Sequence, residues 1–141
     1  MRILFTSLAI LAVIACTPTA GDLERRADAE AGARAALDKE LAGLVPGRPQ
    51  NCVSQLQLRS GPKAYGSTLV YTNSSAEKYV NRTSGGCERI GTGGDAILVT
   101  RTPSTQLCSG DIATTVDQVS RFQNGSCSFG EFIPYTRASG S

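Results

Sequence analysis

Apolar residues fall into three regimes along the chain, and each predicts a different kind of structure. Ile3, Leu4, Phe5, Leu8, Ala9, Ile10, Leu11, Ala12, Val13 and Ile14 make one short run, interrupted only by Thr6 and Ser7. At about a dozen residues it falls short of the roughly 20 that a bilayer crossing needs, so it has the layout of an export-signal core. A small polar lead follows at Cys16-Thr17-Pro18-Thr19-Ala20-Gly21. Over 22–44 the period becomes helical: Leu23, Ala27, Ala33, Leu37, Leu41 and Leu44 form a thin apolar stripe. Asp22 is the expected cap, and Arg26, Glu30, Arg34 and Asp38 alternate in sign at four-residue spacing. Val45-Pro46-Gly47-Arg48-Pro49 then breaks the helix.

From Pro49 the period changes to two, the signature of strands. Alternation over 52–58 sets Cys52, Ser54, Leu56 and Leu58 on one face, with Val53, Gln55 and Gln57 on the other. Ser60-Gly61-Pro62 turns the chain, a strand follows over 67–72 around Leu69, Val70 and Tyr71, and another over 77–83 carries Tyr79 and Val80. The nearly unbroken apolar run 96–100 suits a central strand. A fifth strand over 107–116 is interrupted at Gly110, Gln123-Asn124-Gly125-Ser126 has the composition of a tight turn, and the last strand runs over 126–135. The predicted class is α+β, mainly β: a small antiparallel sheet or partial barrel of five to six strands with an N-terminal helix. Four segments are expected: a signal peptide at 1–15, an anchor, lead and stalk helix at 16–48, a β domain at 49–137 and a disordered tail at 138–141. The helix is expected to act as a spacer docked loosely on that domain, or else as a coiled-coil or partner-binding helix with a weak alanine seam.

Val13-Ile14-Ala15-Cys16, preceded by Arg2 and the apolar core, resembles the bacterial lipobox, in which cleavage leaves a cysteine that carries lipid. That likeness assigns lipidation to Cys16. Of the five cysteines it leaves an even four, Cys52, Cys87, Cys108 and Cys127, in an oxidising compartment. Two disulfides are expected rather than a metal site, because the spacings are wide, no C-x-x-C pair occurs and the chain has no histidine. Four cysteines allow three pairings; the one we expect is nested, Cys87 with Cys108 inside Cys52 with Cys127.

Charge adds little. The net charge is +2, and Arg59, Lys63, Lys78, Arg82, Arg89, Arg101, Arg121 and Arg137 are scattered without a basic stripe, which argues against nucleic-acid binding. Lack of histidine removes Ser-His and Cys-His nucleophile pairs. Ser60-Gly61-Pro62-Lys63 has the S-x-x-K spacing of serine acylases, but Gly61 and Pro62 oppose the helix that chemistry requires. Gly91-Thr92-Gly93-Gly94-Asp95 lacks the Lys-Ser/Thr of a phosphate loop. Asp111 and Glu131 are the carboxylates that a hydrolase of the glycosidase type would use. No cofactor and no metal is expected.

Leu107-Cys108-Ser109-Gly110-Asp111 and Gly125-Ser126-Cys127-Ser128-Phe129-Gly130-Glu131-Phe132 carry L-C-x-G-D and G-x-C-x-x-G-x-F stretches. With the signal and helix, they make the chain resemble small envelope lipoproteins of proteobacteria with a cysteine-stapled β domain. The resemblance implies a protein held to the membrane through lipid on Cys16 and facing the periplasm, with an envelope protein as partner and no catalytic residue. Thr17 after Cys16 resembles lipoproteins sorted to the outer membrane; secretion to the periplasm is the alternative. Ser60-Gly61-Pro62-Lys63-Ala64-Tyr65 is also similar to the S-G-x-x-x-x-Y loop of membrane-bound lysozyme inhibitors, one residue shorter. It implies an interaction loop of Ser60, Gly61, Lys63 and Tyr65. The expected function is thus a non-catalytic structural or partner-binding role, with a cell-wall hydrolase inhibitor and a carboxylate hydrolase as alternatives.

Overall fold

The computed structural model describes residues 18–91, 96–100 and 104–138. The signal peptide, Cys16, Thr17, most of the Gly91–Asp95 segment and the last three residues of the tail lie outside them.

Helix α1 spans Ala20–Glu40. Its cap is Thr19 rather than Asp22: the Thr19 hydroxyl accepts from the Asp22 amide, while the Thr19 amide donates to Asp22 Oδ2 at 3.1 Å. The predicted cap is therefore the acidic partner three residues into a capping box. The helix also stops before residue 44. Gly43 takes a left-handed φ of 78°, and Leu44–Pro46 extends as strand β1. Those backbone groups are satisfied by the end of the last strand, where Val45 faces Thr136, so the expected break is part of the sheet.

The other strands are β2 (Cys52–Ser54), β3 (Lys63–Tyr65), β4 (Thr68–Ser74), β5 (Glu77–Thr83), β6 (Ala96–Thr100), β7 (Gln106–Cys108), β8 (Ile112–Asp117) and β9 (Gln123–Arg137). All pairings are antiparallel, and the principal sheet runs β3-β4-β5-β9-β8-β6, curled into a half-barrel. Strand β9 is its spine. One edge of β9 binds β5; the other binds β8, then Gln50 opposite Phe132, then β1. A separate pair, β2 with β7, sets Cys52 opposite Cys108.

Four expectations change here. The 96–100 strand is not central; it lies at the edge, and Val99 is exposed. The 107–116 strand is two strands in two sheets, separated by a turn in which Asp111 Oδ2 accepts from the Cys108 amide at 2.8 Å. Residues 123–126 are strand, and the hairpin turn lies just before them, where Asp117 Oδ1 accepts from the amides of Val119 and Ser120. The 52–58 strand ends at Ser54, whose hydroxyl caps a 3-10 turn over Gln55–Gln57. The turn breaks the predicted alternation: Val53 is buried, Leu56 is exposed, and Leu58, expected on the face opposite Val53, packs against the same core.

Alternation along the strands buries both faces of the sheet. Leu69, Tyr71, Tyr79, Phe129 and Phe132 point into the curl with Val53, Ile90 and Leu107. Their neighbours Val70, Val80 and Ile133 point outward with Tyr65, where Leu37 of α1 and Leu41, which caps the end of α1, cover them. No residue of α1 is itself fully buried, so the helix is held by its last turns. Two disulfides staple the curl: Cys52 to Cys108, and Cys87 to Cys127. The pairing is interleaved rather than nested, because β2 pairs with β7 while Cys127 on β9 meets the loop that follows β5. Beside that second bridge the chains touch closely: a Cβ on Gly86, at φ 93°, would lie 2.2 Å from the Ser126 carbonyl oxygen.

Candidate functional site

Among the described residues, a groove and a cleft stand out on the surface of the half-barrel. The groove, of about 890 Å³, lies open beside α1, floored by Ala33, Leu37 and Tyr65 and rimmed by charges of both signs. The cleft, of about 240 Å³, lies at the mouth of the curl. It is built by chain segments distant in sequence. The 3-10 turn carries Gln55 to its edge and returns Leu58 to the core; the following bend supplies Arg59, Ser60 and Gly61. Edge strand β6 presents Leu98 and Thr100, β7 presents Leu107, and β4 supplies Tyr71.

Tyr71 is 3% exposed, its ring held edge-on to Phe129 at 6.4 Å between centroids and tilted against Phe132 at 6.1 Å. Its hydroxyl is buried and has no hydrogen-bond partner among the described residues. An unmet buried hydroxyl costs about 1–3 kcal/mol, and burial pushes its phenol above the ordinary value. The other two buried tyrosines are paired. Tyr65 donates to Glu40 Oε2 at 2.8 Å and Tyr79 to Glu77 Oε1 at 3.1 Å. Burial first, and the Glu40 carboxylate second, push the Tyr65 phenol up to about 12. Among the described residues lining the cleft, Arg59 is the one charged side chain, and no hydrogen bond or ion pair engages it.

The fold takes the 60–65 segment apart. Ser60 and Gly61 sit on the rim of the cleft, and Lys63 is exposed with its ammonium 5.3 Å over the Tyr65 ring. Tyr65 is only 8% exposed and lies on the opposite face of the sheet, under α1. To enter another protein's cleft it would have to leave that cluster and its bond to Glu40. The two candidate carboxylates are not brought into either hollow: Asp111 closes the turn after β7, and Glu131 is exposed on β9. Sequence reasoning missed Tyr71, Gln55, Arg59 and Leu98. The period of two already places Leu69 and Tyr71 on one face; a hydroxyl without a partner leaves no trace in that pattern.

Among the described residues, no helix is long and apolar enough to cross a membrane. No family model, characterised protein or solved structure matches the chain.

Proposed function

We propose that this chain is a lipid-anchored protein of a bacterial envelope, exported through the 1–15 signal, cut before Cys16 and carried on lipid at that residue. The observation that supports an extracytoplasmic setting most directly is the pair of disulfides, Cys52–Cys108 and Cys87–Cys127, which use every cysteine of the β domain. Such bonds persist in oxidising compartments. In this reading α1 is a spacer: its last turns are fastened to the sheet, while Leu23 near its start is 53% exposed. Thr17 after Cys16 fits sorting to the outer membrane.

The β domain serves as a non-catalytic binding module. It has no histidine, its thiols are all oxidised, and its best-placed acid, Asp111, is spent on a turn amide. Fractionation of the native host tests the anchor. The unaltered protein is expected in the membrane fraction and to incorporate an alkyne-labelled fatty acid, and Cys16→Ser is expected in the soluble periplasm without label. Tight membrane association of Cys16→Ser would overturn the assignment.

A further inference from the structure

Tyr71 is a costly choice for its position if packing is its whole task. Phenylalanine would make the same ring contacts with Phe129 and Phe132 and would leave no buried hydroxyl unpaired. The residue also walls a hollow that combines apolar sides with a cation that no acidic side chain engages. Leu58, Leu98 and Leu107 supply the apolar sides; Arg59 supplies the charge, and no acidic side chain among the described residues opposes it there. Few convergent polar groups in a mainly apolar concavity are what small-molecule sites have in common.

We infer that the cleft binds a small carboxylate with a compact apolar body, its charge on Arg59 at the rim and an acceptor oxygen on the Tyr71 hydroxyl, which is covered in this structure and is uncovered by a shift of the cleft wall as the molecule enters. The leucines would cover the body of such a molecule, and binding would give the Tyr71 proton the acceptor that the protein withholds. A cleft of 240 Å³ lies below the range for drug-sized ligands, which restricts the occupant to roughly 15 heavy atoms or fewer. Arg59 suits the carboxylate because its planar fork makes paired, charge-assisted bonds. This inference is independent of the lipid anchor: it concerns the β domain alone and survives if Cys16→Ser leaves localisation unchanged.

Three probes separate the contributions when titrated into the soluble, disulfide-bonded chain from residue 18 onward and followed by amide and methyl chemical shifts. They are 4-hydroxybenzoate, with both charge and a second acceptor; benzoate, which lacks that acceptor; and 4-hydroxybenzyl alcohol, which lacks the charge. With the unaltered protein, 4-hydroxybenzoate is expected to bind submillimolar and to shift Leu58, Leu98 and Leu107, with each of the others five- to tenfold weaker. Tyr71→Phe should abolish the preference for 4-hydroxybenzoate over benzoate while leaving benzoate affinity unchanged. Arg59→Gln should abolish the preference over the alcohol. Tyr71→Phe should also unfold at the same or a higher denaturant concentration than the unaltered protein. The inference falls if none of the three probes shifts the leucines at 20 mM, if Tyr71→Phe keeps the discrimination, or if Tyr71→Phe is markedly destabilised, which would mean that the hydroxyl has a protein partner.

Discussion

The Tyr65 hydroxyl and the Glu40 carboxylate, 2.8 Å apart, join strand β3 to the last turn of α1. Lys78 of β5 pairs with the same carboxylate and also donates to the Glu40 carbonyl oxygen at 2.9 Å. One side chain on the helix is thus tied to two strands. The Lys78 ammonium chiefly, and the Tyr65 hydroxyl after it, hold the Glu40 carboxyl below its ordinary value of 4.5.

A carboxyl whose folded-state value is lowered contributes stability above its unfolded value and loses it as pH falls through the folded one. Glu40→Gln is therefore expected to cost about 1 kcal/mol at pH 7, the scale of a partly exposed charged hydrogen bond. The gap to the unaltered protein should close as pH drops below 4. Urea midpoints at pH 7 and pH 3 check this; an equal penalty at both would show that the Glu40 charge does not fasten the helix.

Helix α1 should tolerate change at its start and resist it at its end. Leu41 packs against the outer-face cluster of Tyr65, Val70 and Val80, whereas Leu23 is 53% exposed. Leu41→Ala is expected to cost about 1–2 kcal/mol, less than a fully buried leucine, and Leu23→Ser to stay within about 0.5 kcal/mol. Hydrogen exchange should divide the helix in the same way, faster near residue 25 than near residue 40. Uniform protection from end to end would mean that the first turns are covered too.

The interleaved disulfides give a third expectation. Digestion without reduction should yield Cys52 peptides linked to Cys108 and Cys87 peptides linked to Cys127, with no titratable thiol in the β domain. A Cys87–Cys108 peptide would restore the nested pairing and contradict the β2–β7 register. The bridges close separations of 56 and 40 residues, so removing either pair as Cys→Ser costs up to about 4 kcal/mol in the chain-entropy account.

How much of this was legible in the sequence depends on whether a feature is local. Strand β5 falls on its predicted bounds because polar turn residues stop it on both sides and Tyr79 and Val80 alternate between them. The helix cap was expected at Asp22 and lies three residues earlier at Thr19, since both residues carry cap chemistry. Asn124-Gly125 was misread for a more instructive reason. Gly125 is needed for close approach, as a Cβ there would stand 2.3 Å from the Gly86 carbonyl oxygen, and the reversal is made upstream by the Asp117 side chain. Disulfide pairing followed from which short strands meet, β2 with β7, which no period reveals. The cleft was least legible, because Tyr71, Arg59, Leu98 and Leu107 converge from four segments of the chain.

Strand β9 carries an irregularity that a single side chain repairs. Thr83 faces Phe129 and Asn81 faces Phe132, so β9 holds one residue more than β5 between the same two pairs. The bulge lets Phe129 and Phe132 both point into the curl although they are three residues apart. Asn81, fully buried, spans it: its amide donates to the Gly130 carbonyl at 2.7 Å, and its oxygen accepts from the Gly130 amide at 3.2 Å. Asn81→Ala would strand both backbone groups and is expected to cost about 2–3 kcal/mol. Gly130→Ala should cost a similar amount for a steric reason, since its Cβ would lie 2.5 Å from the Arg82 carbonyl oxygen and backbone must move. Because both changes act on one bulge, the double variant should lose less than the sum of the two. Denaturant unfolding of the three variants decides it: full additivity, or a penalty for Asn81→Ala under about 0.5 kcal/mol, would show that the bulge holds its shape without the asparagine.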